Sequence, residues 1–141
     1  MDRGRGTYVL VFELLHVVET PRGTFKGRYC YVGSAFGPGG LSPRIRRHLR
    51  RSKTLKWHID HLTSSEYFRS LAVFASPERA ECETASTLAS VLQGHPGFGS
   101  SDCSCPSHLF NLGNRSTRFL AGLLRDLGFR EFQMAPATSG G

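Results

Sequence analysis

Two runs of β-branched and aromatic residues, at 7–17 and 25–33, are separated by Glu19-Thr20-Pro21-Arg22-Gly23. Tyr8, Leu10 and Phe12 alternate with Val9 and Val11, so the first run has no polar face and reads as a strand buried on both sides. Proline fixes one φ at the junction and glycine frees another, which suits a turn between antiparallel strands. The pair therefore predicts a hairpin with Tyr8 and Tyr31 on neighbouring strands.

After the hairpin, Gly37-Pro38-Gly39-Gly40 interrupts regular structure, and Ser42-Pro43 offers a helix N-cap followed by proline at the first helical position. On the helix that follows, Leu41, Ile45 and Leu49 make an apolar stripe. Arg44, Arg47, His48 and Arg51 lie along one border of it, while Arg46 and Arg50 point away. Residues 70–75 read as a third strand. Ser76-Pro77-Glu78 opens a helix expected to run from 77 to about 93, with Ala85, Leu88, Ala89 and Leu92 inward. Glu81 falls at the centre of that inward face and Glu83 nearly opposite. A buried carboxylate costs several kcal/mol unless paired or metal-bound, so Glu81 requires a partner. Residues 109–112 suggest a short edge strand, and a helix over 115–127 stops at Gly128.

The whole reads as one domain over 1–134, with a motif-bearing part at 6–112, a C-terminal helix and candidate strand within 115–133, and a flexible tail at 135–141. The apolar stretch 8–18 carries Glu13 and His16 and is too short to span a bilayer, so no membrane association is expected. Four cysteines at irregular spacing do not make a secreted disulfide scaffold and fit a reducing cytoplasm. Cys30 and Cys82 read as small core residues.

The formal net charge of +7 is concentrated. Between Glu19 and Asp60 no acidic residue occurs, while ten Lys or Arg do. A basic block of this kind suits a phosphate backbone, and nucleic acid is the expected partner, with Arg44, Arg47, Arg50, Arg51, Lys53 and Lys56 as its contacts.

Gly6-Thr7-Tyr8 and Tyr31-Val32-Gly33, followed in order by Arg44, His48 and Glu81, resemble the signatures of the GIY-YIG nuclease superfamily. Tyr29-Cys30-Tyr31-Val32-Gly33-Ser34-Ala35, Arg44-Ile45-Arg46-Arg47-His48-Leu49-Arg50, Trp57-His58-Ile59-Asp60, Glu81-Cys82 and Phe98-Gly99-Ser100-Ser101-Asp102-Cys103-Ser104-Cys105-Pro106-Ser107-His108-Leu109 are similar to an uncharacterised prokaryotic branch of it. The resemblance covers roughly residues 6–112. It implies an α+β fold, a small three-stranded antiparallel sheet flanked by helices, with the site on one sheet face. It also implies a metal-dependent endonuclease that hydrolyses phosphodiester bonds, with DNA favoured over RNA and nicking the expected outcome. Tyr8 and Tyr31 would lie at the scissile phosphate, one of them as base or water positioner. Arg44 and His48 would complete the catalytic set, and Glu81 would ligate Mg²⁺ or Mn²⁺. The late asparagine of many relatives has no clear counterpart, leaving Ser101, Asp102 or His108 to replace it.

The chemistry is consistent with those residue types. Cleavage needs a positioned water, neutral charge around the non-bridging oxygens and a stabilised leaving oxygen, for which a carboxylate-held cation and a planar guanidinium are suited. A tyrosine with its ordinary pKa near 10 is a weak base at neutral pH and needs assistance. Two other readings stay open. One is a catalytically inactive nucleic-acid-binding module of the same fold. The other is a zinc site on Cys103, Cys105 and His108, with His58, His61 or His95 as a fourth ligand, although paired C-x2-C knuckles are absent. Trp57 reads as a packing anchor before a base-stacking platform.

Overall fold

The hairpin forms as the alternation predicts and is longer. In the computed structural model, which describes residues 4–98 and 107–132, strand β1 (Gly6–Thr20) pairs antiparallel with β2 (Gly23–Ala35) from Thr20↔Gly23 at the turn to Gly6↔Ala35 at the open end. The register shifts between Leu14 and Val18, where a bulge interrupts the ladder. At the turn, Thr20 Oγ1 donates to the Gly23 carbonyl and accepts from the Arg22 N–H, and Gly23 takes φ 128°.

β1 is the central strand, paired on its other side with β3 (Phe68–Ser76). The expected sheet of three strands is corrected to six. Three short strands extend it: β4 (Gln93–Gly94), β5 (Leu109–Asn111) and β6 (Arg130–Glu131), in the antiparallel order β4-β5-β2-β1-β3-β6. Residues 109–111 are a strand, as anticipated, but not an edge, because β4 pairs outside them. Two- and three-residue strands carry too few positions to show a period of two; strands are expected within 109–112 and 115–133, and β4 has no counterpart in the sequence reading.

The helices are few and short: α1 (Leu41–Leu49), α2 (Asp60–Thr63), α3 (Glu81–Ala89) and α4 (Thr117–Asp126). α1 begins at Leu41 with Gly40 at the cap in a left-handed φ of 77°, so Ser42 lies inside the first turn and does not cap it. α4 is capped as its sequence suggests. Ser116 Oγ accepts from the Phe119 N–H, and Gly128 closes the helix at φ 94°.

β1 separates two cores because its side chains alternate between faces. Tyr8, Leu10 and Phe12 join Tyr29, Tyr31, Leu41, Ile45, Ile59 and Leu62 on one side. Val9 and Val11 join Cys30, Val32, Phe74, Leu88, Leu120 and Leu124 on the other. Phe12 packs between Tyr29 and Phe68, with ring centroids 5.7 and 5.3 Å away. Cys30 is a core residue, and burial pushes its thiol up to about 12. Cys82 is exposed on α3, contrary to its expected burial. Among the described residues, no helix is long and apolar enough to cross a membrane.

Candidate active site

Strand register places the two tyrosines. Tyr8 lies opposite Gly33 and Tyr31 opposite Leu10, so both rings leave the same sheet face near the open end of the hairpin. Gly33 is required by that arrangement. A Cβ there would run into the ring and hydroxyl of Tyr8, which lies across the glycine. Gly6 is required by β3, since a Cβ on it would meet the Ser76 carbonyl. The glycines of the two signatures are therefore sites of close approach, one to a ring and one to a neighbouring strand.

α1 covers the tyrosines with residues one turn apart. A 2.6 Å hydrogen bond joins the Tyr8 hydroxyl to His48 Nε2, and the His48 and Tyr31 ring centroids are 6.0 Å apart. Burial raises the Tyr8 pKa well above its ordinary value; Tyr31 and Glu81 push it the same way, while the Arg44 guanidinium beside it pulls it back. Burial, aided by the Lys53 ammonium, holds His48 down to about 3. The Tyr8–His48 pair is thus two neutral groups at pH 7, and His48 is too weak a base to strip Tyr8 of its proton. Tyr31 is the more accessible tyrosine, 9% exposed against 2% for Tyr8.

Glu81 reaches the site by a route the sequence did not suggest. The helix expected from 77 starts at Glu81, so this carboxylate occupies the first helical position rather than the centre of an apolar face. Its side chain is 30% exposed, and its Oε2 lies 3.1 Å from His108 Nδ1. Negative charge at a helix N-terminus is favourable, and with partial exposure the carboxylate does not carry the burial cost the sequence reading assigned to it. His108, which precedes β5, is therefore a member of the site.

Thr7 holds this corner together. Its side chain is fully buried on the face away from Tyr8, where Oγ1 donates to the Glu78 carbonyl at 2.7 Å and accepts from the Ala80 N–H at 3.0 Å. Ala80 is the cap position of α3 and has no side chain able to cap it. The central residue of the first signature caps the helix that carries Glu81 from 73 positions away.

The basic block divides into structural and exposed members. Arg47 donates through Nη1 and Nη2 to the two oxygens of the fully buried Asp60, at 2.9 and 3.0 Å, and through Nη2 to the Thr54 carbonyl. Asp60 also accepts from the Lys56 and Trp57 N–H groups. Burial pushes its carboxyl up, but these bonds outweigh it and hold the pKa at about 2. Lys53 Nζ donates to the Arg47 and His48 carbonyls and to Thr63 Oγ1, closing the C-terminal end of α1. Arg51 is exposed and reaches the Phe68 carbonyl. Arg50 and Lys56 are exposed, and Arg44 lies at the tyrosines. Asp60 and Thr7 were the residues missed. Nothing in their local sequence marks a partner 13 or 71 positions distant.

One carboxylate with a histidine beside it is a donor set that suits a hard cation retaining most of its waters. Among the described residues, no group of three or more His, Cys, Asp or Glu is placed to hold a metal ion. Cys103 and Cys105 lie outside the described residues. His95 packs on Phe25 and Tyr29, and His58 on Phe98.

A sequence model of the family described as Domain of unknown function DUF123 matches residues 7–128, from the buried threonine of β1 to the glycine that ends α4. Neither the curated proteins nor the solved structures give a match to the chain. With most of its length matched, the chain belongs to the DUF123 family.

Proposed function

We propose that this protein is a divalent-metal-dependent endonuclease, related in its chemistry to the GIY-YIG nucleases, that nicks DNA by phosphodiester hydrolysis in the cytoplasm. The observation that carries this reading is convergence. Tyr8, Tyr31, Arg44, His48 and Glu81 come from β1, β2, α1 and α3 and meet at one end of the hairpin. Arg44 offers a planar fork to the non-bridging oxygens. Tyr8, held neutral and fixed by His48, keeps its hydroxyl as a positioned donor or acceptor. Tyr31, the more accessible phenol, is the group that orients the attacking water. Glu81 is the residue that would hold Mg²⁺ or Mn²⁺, whose contribution there is Lewis acidity toward the phosphoryl and leaving oxygens. His108 Nδ1, 3.1 Å from Glu81 Oε2, is the neighbour placed to steady that carboxylate.

The test is nicking of supercoiled plasmid with Mg²⁺, Mn²⁺ or EDTA, comparing wild type with Glu81→Ala. Metal-dependent nicking should fall by roughly a hundredfold in the variant while DNA binding persists, because the basic surface is untouched. Equal cutting by both proteins would remove Glu81 from the mechanism. The second reading, a nucleic-acid-binding module without turnover, is favoured by His108 sitting on a Glu81 oxygen that a cation would also seek. It predicts salt-sensitive binding with no metal-dependent cutting by wild type.

A further inference from the structure

Trp57 stands at the edge of the site with three cations around one ring. The Arg47 and Arg44 guanidinium carbons lie 4.4 and 4.8 Å from its centroid, and Lys56 Nζ lies 5.3 Å away. The indole is half-buried, packed in part against the core that contains Tyr8 and Tyr31. The rest of it opens on a cavity of about 200 Å³, walled by Pro38, Pro43, Arg44 and Arg47 and floored by glycine backbone. A second and larger cavity, about 670 Å³, lies on the far side of Arg47 and is lined by Arg50, Lys53 and Lys56. No acidic residue lines either one.

The two cavities differ in chemistry and share a wall. The first is the smaller, lined by an indole, two pyrrolidines and two guanidinium groups, surfaces on which a flat heterocycle stacks. The second is open and cationic, suited to phosphate. Arg47 is immobilised between them by Asp60 and Thr54, so the partition is rigid. Arg44 lines the first cavity and also stands beside the Tyr8 hydroxyl, which puts that cavity next to the reacting phosphate of the proposed nuclease.

We infer that the Trp57 cavity is a nucleobase subsite, which takes one unpaired base flanking the cleaved bond while Arg50 and Lys56 hold a neighbouring phosphate. This deepens the nuclease reading and rests on it. A cavity of about 200 Å³ is on the scale of one base, and a base stacked and paired in duplex DNA presents only an edge. The nucleotide beside the cut is therefore single-stranded, and the base is gripped through its faces with little discrimination among sequences.

Trp57 is the chain's one tryptophan, so emission excited in the indole band, beyond tyrosine absorption, reports on this cavity alone. The experiment titrates the protein in EDTA with an oligothymidylate of roughly ten nucleotides, a length typical of single-strand sites. Binding is read independently by anisotropy of a labelled oligonucleotide. The expected result is saturable quenching of Trp57 that follows the anisotropy curve. Affinity should weaken about tenfold for the matching abasic strand, and also in Trp57→Leu if its thermal unfolding matches wild type. Binding with unchanged emission and equal affinity for the abasic strand would overturn the subsite and leave the nuclease reading intact. No binding to single-stranded or duplex DNA would overturn both.

Discussion

Replacing Thr7 with valine isolates the long-range cap on α3. The two side chains have nearly the same shape, so packing in the fully buried site is preserved and the hydroxyl alone is lost. The Ala80 N–H, buried at the start of α3, then has no acceptor, at about 1–2 kcal/mol. The Glu78 carbonyl, on an exposed residue, loses its donor and can recover a water, which adds about 0.5–1 kcal/mol. The total is roughly 2 kcal/mol, or about 4–8 °C in Tm for a domain of this size. Serine at the same position keeps both bonds and should recover most of the loss. Because Ala80 immediately precedes Glu81, Thr7→Val should also raise the Mg²⁺ concentration needed for half-maximal nicking, and Thr7→Ser should not. Urea unfolding followed by far-UV circular dichroism gives the first quantity and a Mg²⁺ titration of plasmid nicking the second. A valine variant within about 0.5 kcal/mol of wild type, with the same Mg²⁺ requirement, would refute the capping role.

Two further outcomes follow from the packing and charge of the site. Gly33→Ala should cut far more slowly than wild type while losing only about 1–3 kcal/mol of stability, since the new methyl displaces the Tyr8 ring tip from His48 before it disturbs the strands; wild-type nicking by this variant would show that the Tyr8–His48 contact is dispensable. Stability should fall as pH drops from about 6.5. His48 titrates near 3 in the folded protein and near 6.5 unfolded, so in that window the unfolded chain takes up the proton; the loss between pH 7 and 5 is about 2 kcal/mol. Asp60, depressed to about 2, extends the loss below pH 4. His48→Gln should flatten the upper part of this dependence in urea unfolding, leaving the slope from His58 and His95, which burial also lowers. An unchanged slope in the variant would show that His48 is not buried neutral.

What could be read from the sequence was whatever repeats over enough residues. β1 and β2 are 15 and 13 residues long and were evident from alternation and the turn between them. β4, of two residues, is a strand only because β5 offers it hydrogen bonds, and no local pattern encodes that, whereas β6 lies within the candidate strand expected in 115–133. The start of α3 was misread for a related reason. Ser76-Pro77-Glu78 has the chemistry of a helix N-terminus, and Glu78 N–H does donate to Ser76 Oγ, but Thr7 ties Glu78 and Ala80 into a non-helical bend until residue 81. For the proposed site, the sequence named its candidates, and the structure joins Tyr8 to His48, sets Tyr31 against the same imidazole and puts Arg44 beside the Tyr8 hydroxyl. Arg47 and Lys53 looked like ligand contacts because charge shows in sequence, whereas the buried Asp60 and the helix-end carbonyls that engage them show only in three dimensions.

The hairpin also dictates when during folding the site can exist. Its turn joins Thr20 to Gly23, so pairing begins with partners three positions apart and must run the length of both strands before Tyr8 meets Gly33. Short loops close quickly and each added pair extends a ladder already begun, so the turn end is the natural nucleus and the signature end is the last part to zip. Glu81 depends on longer-range closure, because α3 follows β3, and β3 pairs with β1 across the whole hairpin and α1. Partly folded chains therefore carry the basic segment without an assembled carboxylate, so under the proposed nuclease reading DNA would be held before it could be cut.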